Sequence, residues 1–164
     1  MKMKNYEMLI NMQIMQRGLD KAVFEKMNMN DYPTQSQYCK AIIDEIGELN
    51  HELKPEWCWW KKNPGIVDDQ KVLEELVDIW HFALSFANSA KFKPNPNTLN
   101  GKYKPCDVTT FTNFIVAGIF MVDCEGLFRN THALTVGLGY SMEDVFDAYT
   151  KKNAVNHQRA ESDY

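Results

Sequence analysis

Apolar positions recur along this chain with a helical period, and no segment shows the sustained alternation of a strand. Met8, Met12, Met15, Leu19 and Val23 follow one another at steps of three and four, which makes one stripe of an amphipathic helix. The stripe fades before Asn28–Pro33, and the Pro33-Thr34 pair marks the next helix start. Tyr38, Ile42, Ile46, Leu49 and Leu53 form a second stripe, closed by Pro55. From Val67 to Ala90 the apolar residues cover most sides, as expected of a helix at the centre of a bundle. Lys93 to Pro105 holds three prolines and little apolar content and predicts a long surface loop. A further helical region covers Phe111 to Leu138, with Gly118, Gly126, Gly137 and Gly139 as candidate breaks. Ser141 followed by Asp144 resembles a capping box and starts a last helix at about Met142. The pattern predicts a single all-α domain over residues 1–164, a bundle of about five main helices.

A length of 164 residues suits one domain, and 45% hydrophobic residues suffice for its core. The net charge of −4 argues against a nucleic-acid polymer as ligand, because such binders present a basic face. It leaves room for a small polyphosphate whose charge a divalent metal offsets. Cys39, Cys58, Cys106 and Cys124 are scattered with no CxxC pair, which favours reduced thiols over a disulfide framework or zinc site. The first residues do not form a signal peptide, and no window approaches the roughly 18 apolar residues of a membrane span. The expectation is a cytoplasmic protein without membrane contact, in the host cytoplasm if it is phage-encoded.

Two of the helices carry paired acids at i and i+3: Glu45 with Glu48, and Glu75 with Asp78. Residues three apart lie on one helix face. Antiparallel packing of the two helices would bring all four carboxylates together near the interior, where like charges require a cation. Hard oxygen ligands of this kind suit Mg²⁺ or Mn²⁺. Either pair alone is what a solvated acidic helix produces by chance. The same segments permit another chemistry, since Glu48 is followed by His51 and Asp78 by His81, both at i+3. Acid-x-x-His on two helices is half the ligand set of a di-iron carboxylate bundle, but no other helix offers a convincing further pair of glutamates.

The chain's end adds a basic and amide face, with Lys152, Asn156 and Arg159 at steps of four and three. Such residues complement the dipole of any helix C-terminus. Beside a carboxylate cluster they could also clamp phosphate oxygens. Trp57, Trp59 and Trp60, followed by Lys61 and Lys62, offer an aromatic face for a nucleobase with adjacent cations, or else core or dimer packing.

These blocks resemble the all-α dimeric dUTPase family, relatives of the MazG-type pyrophosphohydrolases, and most closely its phage dCTPase/dUTPase branch. The resemblance rests on Glu45-Ile-Gly-Glu48-Leu with the Trp57/Trp60-Lys61 segment, and on Glu75-Leu-Val-Asp78-Ile-Trp-His81-Phe. It rests most specifically on Val136-Gly-Leu-Gly-Tyr-Ser and Tyr149-x-x-Lys152-Asn153-x-x-Asn156-x-x-Arg159 with the terminal Tyr164. Met15-Gln16-Arg-Gly-Leu19-Asp20 is similar to the family's N-terminal base-recognition motif. The chain departs from the pattern at Ala160, where the family has Gln, at Asp163, where it has Gly, and in the segment from Lys93 to Cys106.

The resemblance implies hydrolysis of dUTP, or of dCTP, to the monophosphate and pyrophosphate, controlling the deoxynucleotide pool. Glu45, Glu48, Glu75 and Asp78 would bind two or three Mg²⁺, with Mn²⁺ able to substitute, and Glu48 would orient or deprotonate the attacking water. Lys61, Lys152 and Arg159 would stabilise charge on the phosphates. Gln16, Asp20, Trp60, His81, Asn153 and Asn156 would hold base and deoxyribose, with Tyr164 closing the site. A homodimer is implied. The alternatives are a MazG-like enzyme of another base preference and the di-iron bundle.

Overall fold

The computed structural model describes residues 3–101 and 108–162, and among these there are seven helices and no strand. They are α1 (Asn5–Lys26), α2 (Gln35–Glu52), α3 (Lys54–Trp57), α4 (Asp69–Ser89), α5 (Val108–Phe120), α6 (Cys124–Gly137) and α7 (Met142–Glu161). No helix of the described residues is long and apolar enough to cross a membrane.

α4 is the hub of the bundle and packs against α1, α2, α6 and α7. Its apolar residues Leu76, Ile79, Trp80, Ala83 and Leu84 are wholly buried, as the all-round hydrophobic pattern predicts. α2 lies antiparallel to α4, with Tyr38 beside Ser85 and Phe86 near one end and Glu45 and Glu48 near Glu75 and Asp78 further along. α7 also runs antiparallel to α4 but parallel to α1, since Tyr149 meets Met12 while Lys26 reaches the carbonyls of Arg159 and Ser162.

Local sequence sets the helix starts. Thr34 and Gln37 close a capping box on α2, and Ser141 and Asp144 close one on α7. Asp68 accepts the backbone N–H groups of Gln70 and Lys71 at the start of α4.

Two helices exceed the expected five. The second helix ends at Glu52, just ahead of Pro55 as expected, and Pro55 itself sits in the first turn of the one-turn α3, where a missing N–H costs nothing. The region from Phe111 to Leu138 divides into α5 and α6, and none of its glycines makes the turn. The break falls at Val122, held at φ 56°, with Asp123 N–H on the Gly118 carbonyl at 2.7 Å. Gly118 instead permits close packing: a Cβ there would lie 3.2 Å from the Leu127 backbone. The loop after α4 is less superficial than its composition predicts. Leu99 joins the core, and Thr98, fully buried, donates its hydroxyl to Glu125 of α6 at 3.1 Å. Its residues 102–107, including Cys106, lie outside the described residues, as does Tyr164.

Candidate active site

Antiparallel packing of α2 on α4 brings three of the four paired acids to one point, while the fourth, Asp78, pairs with Lys152 instead. Carboxylate oxygens of Glu45, Glu48 and Glu75 lie within 4.8 Å of one another. Glu48 is exposed while Glu45 and Glu75 are half-buried. Burial, reinforced by repulsion from Asp78 and the neighbouring glutamates, pushes the carboxyls of Glu45 and Glu75 up to about 7. Asp78 faces the same charges but is paired with Lys152 of α7. Burial raises its carboxyl as well, against the lowering effect of that ammonium. Three oxygen donors this close, two of them pushed up by burial and then by repulsion, suit a hard divalent cation.

Lys152 also borders a groove of about 660 Å³ between α4 and α7, lined by Lys151, Asn156 and Arg159 on one side and by Gln70 and Glu74 on the other. Asp144 and Asp147 of the last helix line the same groove, and Lys152 links it to the carboxylates through Asp78. Trp60 and Lys61 do not line that groove and are exposed on the connection between α3 and α4. Trp60 packs against Trp57 and Trp59, with ring centroids 5.5 and 5.7 Å apart, and none of the three tryptophans is buried.

One turn beyond Asp78 the site changes character. His81 is buried, stacked on Tyr149 with centroids 4.2 Å apart, and its Nδ1 lies 2.8 Å from Gln16 Oε1. Tyr149 donates its hydroxyl to the same oxygen at 2.7 Å, and Gln16 Nε2 donates to Asp20 Oδ1 at 2.8 Å. Asn88 donates to Asp20 Oδ2 at 3.4 Å, and Tyr38 pairs with Ser85 at 2.8 Å. Burial raises the Asp20 carboxyl and lowers the His81 imidazole to about 3, the nearby Lys152 charge adding to the second effect. Three buried atoms of this polar cluster have no hydrogen-bond partner: His81 Nε2, Asn88 Oδ1 and Asn153 Nδ2. Unpaired buried polar atoms are uncommon and mark positions that a ligand or water satisfies.

Tyr149, Ser85, Asn88 and Tyr38 were not among the residues expected from sequence. For Ser85 and Asn88 a signal was present as the polar stripe His81, Ser85 and Asn88 on α4, matched by Gln13, Gln16 and Asp20 on α1, all at steps of three or four; Tyr38 and Tyr149 lie on α2 and α7, outside both stripes. The two histidines of the di-iron alternative do not meet. His51 is exposed, His81 is bonded to Gln16, and neither joins the carboxylate cluster found among the described residues.

The family model described as dUTPase matches residues 8–164, nearly the whole chain, and no curated protein matches it. The carboxylate cluster on α2 and α4, the buried polar cluster beside it and this match agree, and the chain belongs to the all-α dUTPase family of nucleotide diphosphatases.

Proposed function

We propose that this protein is a magnesium-dependent pyrophosphohydrolase that cleaves dUTP to dUMP and pyrophosphate, with dCTP as the competing pyrimidine substrate. The observation that carries the reading is the convergence of Glu45, Glu48 and Glu75 beside the Asp78–Lys152 pair. Glu45, Glu48, Glu75 and Asp78 would hold the ions, with Mn²⁺ able to replace Mg²⁺ in a site built only of oxygen donors. When bound, the metal supplies positive charge against the triphosphate and acidity to a coordinated water.

The chain's own groups do the rest. Glu48, the exposed member of the cluster, orients the attacking water and takes its proton on the carboxylate. Attack at the β-phosphorus breaks its bond to the bridging oxygen, and dUMP departs with that oxygen. Lys152 and Arg159, on the groove between α4 and α7, offset charge on the phosphate oxygens. His81 and Asn153 offer unpartnered nitrogens to the base, and Asn156 is placed in the groove for the sugar or phosphates. Glu75 and His81 are separated by six residues of α4, about 9 Å of helical rise, a span suited to a deoxyribose between phosphates and base. Trp60 and Lys61, exposed on the connection between α3 and α4, are assigned to closure around the nucleotide, together with Tyr164. The small-molecule substrate needs neither a nucleic-acid polymer nor a membrane.

A homodimer accompanies the reading. Phe114, Phe120, Met121 and Val122 are exposed around the α5–α6 corner, in a run from Val108 to Val122 without a single charge, and form the surface assigned to the second copy. Light scattering on the purified chain gives the mass directly, and a monomer would remove that part of the reading.

The deciding experiment is pyrophosphate release with Mg²⁺ from dUTP, dCTP, dTTP, dATP and dGTP in turn, beside a Glu48→Gln control. The expected result is release from dUTP that disappears in the variant. No release from any nucleotide, with iron found in the purified protein, would sink the reading in favour of the di-iron bundle.

A further inference from the structure

We infer that Asp20 selects the pyrimidine without touching it, by fixing the orientation of the Gln16 amide and, through it, which nitrogen of His81 carries the proton. The inference rests on the pyrimidine reading above and concerns how the same site tells one base from the other.

The chain of bonds has a direction. Asp20 is buried and receives Gln16 Nε2 on one oxygen and Asn88 Nδ2 on the other, so its carboxylate acts as an acceptor only. Gln16 must therefore turn its NH₂ toward Asp20 and its carbonyl oxygen away. That oxygen accepts from the Tyr149 hydroxyl and faces His81 Nδ1. An oxygen can only accept, so Nδ1 carries the hydrogen. The ring is neutral, its protonation suppressed by burial, and Nε2 is left as a bare acceptor.

Tyr149 does not impose this order. Were Gln16 to flip, the Tyr149 hydroxyl could accept from the amide and donate instead to the Met12 carbonyl, 3.3 Å away. What forbids the flip is Asp20, because it would set the amide oxygen 2.8 Å from a carboxylate oxygen with no hydrogen between them.

The consequence is a readable edge. His81 Nε2 accepts and is buried without a partner, and Asn153 Nδ2, buried beside the Tyr149 hydroxyl, keeps a hydrogen to donate. Both residues border Tyr149, His81 stacked on its ring and Asn153 beside its hydroxyl. An acceptor next to a donor complements an imide, an N–H flanked by a carbonyl, which is the edge of uracil. Cytosine presents the reverse, a bare ring nitrogen beside an amino group. Accepting it requires Nε2–H, hence a flipped Gln16, hence a residue other than an ionised carboxylate at position 20. A site whose buried groups are left facing their own kind rejects an analogue strongly.

The test joins a spectroscopic and a kinetic readout. In protein labelled with ¹⁵N-histidine, His81 is expected to show Nδ1 protonated and Nε2 unprotonated at neutral pH. Wild type is expected to favour dUTP over dCTP in kcat/KM by about a hundredfold or more. Asp20→Asn presents either an acceptor or a donor to Gln16; it should populate the Nε2–H form and lower the dUTP:dCTP ratio by at least about tenfold. A His81 protonated on Nε2 in wild type would overturn the inference, and that measurement stands even if the variant does not fold. A folded Asp20→Asn enzyme with an unchanged ratio would also overturn it. Wild type that hydrolyses neither nucleotide would instead overturn the pyrimidine reading itself.

Discussion

Lys152 of α7 donates to Asp78 Oδ2 of α4, joining groups 74 residues apart in sequence where the carboxylate cluster meets the groove. The contact ties the last helix to the hub and offsets the most buried of the four paired acids on α2 and α4. Both side chains keep partial access to solvent, 28% for Lys152 and 20% for Asp78, so each can exchange its partner for a ligand.

Replacing Lys152 by Met therefore has two separable effects. Without metal, Asp78 loses its counter-charge among like charges, at a cost of about 1–2 kcal/mol, less than for a fully buried pair because water screens the site. With Mg²⁺ and dUTP, kcat/KM falls about a hundredfold or more, as for loss of one preorganised charge donor. Thermal melts and steady-state kinetics on the same preparation check both effects. A variant that melts lower but retains full activity would remove Lys152 from the phosphate site.

The carboxylates also couple stability to pH. Glu45 and Glu75 titrate near 7 in the fold against 4.5 in the unfolded chain, so the folded form holds their protons more tightly. Their contribution to stability is complete below about pH 4.5 and is lost as pH rises through 7. In metal-free protein, Glu75→Gln removes one titrating carboxyl, and its Tm should gain on wild type progressively between pH 5 and 8. Mg²⁺ should reverse the ranking at pH 8, stabilising wild type and leaving the variant nearly unmoved. Parallel wild-type and variant curves across this range would show that the cluster is not strained.

How much of this was legible in the sequence depends on the range of the interactions involved. The Ser141–Asp144 capping box depends on a contact three residues apart and stands where the pattern put it, whereas of the acidic pairs Glu45, Glu48 and Glu75 converge and Asp78 turns to Lys152. The buried order of α4 followed from its composition. The Asp20–Gln16–His81–Tyr149 chain was not derivable, because it joins α1, α4 and α7 through contacts 65 and 133 residues apart. The α5–α6 turn was misplaced for a different reason. Glycine ordinarily marks a left-handed turn residue, but here Val122 takes φ 56°. Gln35 of α2 donates to the carbonyls of Ile119 and Phe120, each at 2.7 Å, and holds the helix end from outside its own sequence.

That turn yields a prediction of its own. A β-branched residue at positive φ stores about 1–3 kcal/mol of strain, and Val122 is 56% exposed, so little packing offsets it. Val122→Gly relieves the strain at the cost of added freedom in the unfolded chain, about 0.5–1 kcal/mol. The net expectation is a gain of about 1 kcal/mol in denaturant melts with dUTP hydrolysis unchanged. A loss of stability would mean that the valine side chain is held by a contact absent from the isolated chain, and the second copy of a dimer would be the first place to look.

The tryptophans separate core from site. Trp80 is wholly buried, stacked over Phe128 with centroids 6.1 Å apart, and donates Nε1–H to Thr135 Oγ1 at 3.1 Å. Its truncation to Ala leaves a cavity and removes the bond that the Thr135 hydroxyl accepts, while that hydroxyl still donates to the Thr131 carbonyl, and should cost about 3–5 kcal/mol. Trp60 is 58% exposed and touches only its neighbouring tryptophans among the ring contacts it makes. Trp60→Ala should therefore leave the Tm within about 2 °C of wild type, as for a surface substitution. If the connection closes over the nucleotide, the same variant raises KM for dUTP several-fold while kcat holds, because stacking is gained on binding rather than in the chemical step. An unchanged KM with an unchanged Tm would take Trp60 out of the site and leave the aromatic triplet as a surface for another protein. A lowered Tm that depends on protein concentration would place it in the contact between two copies.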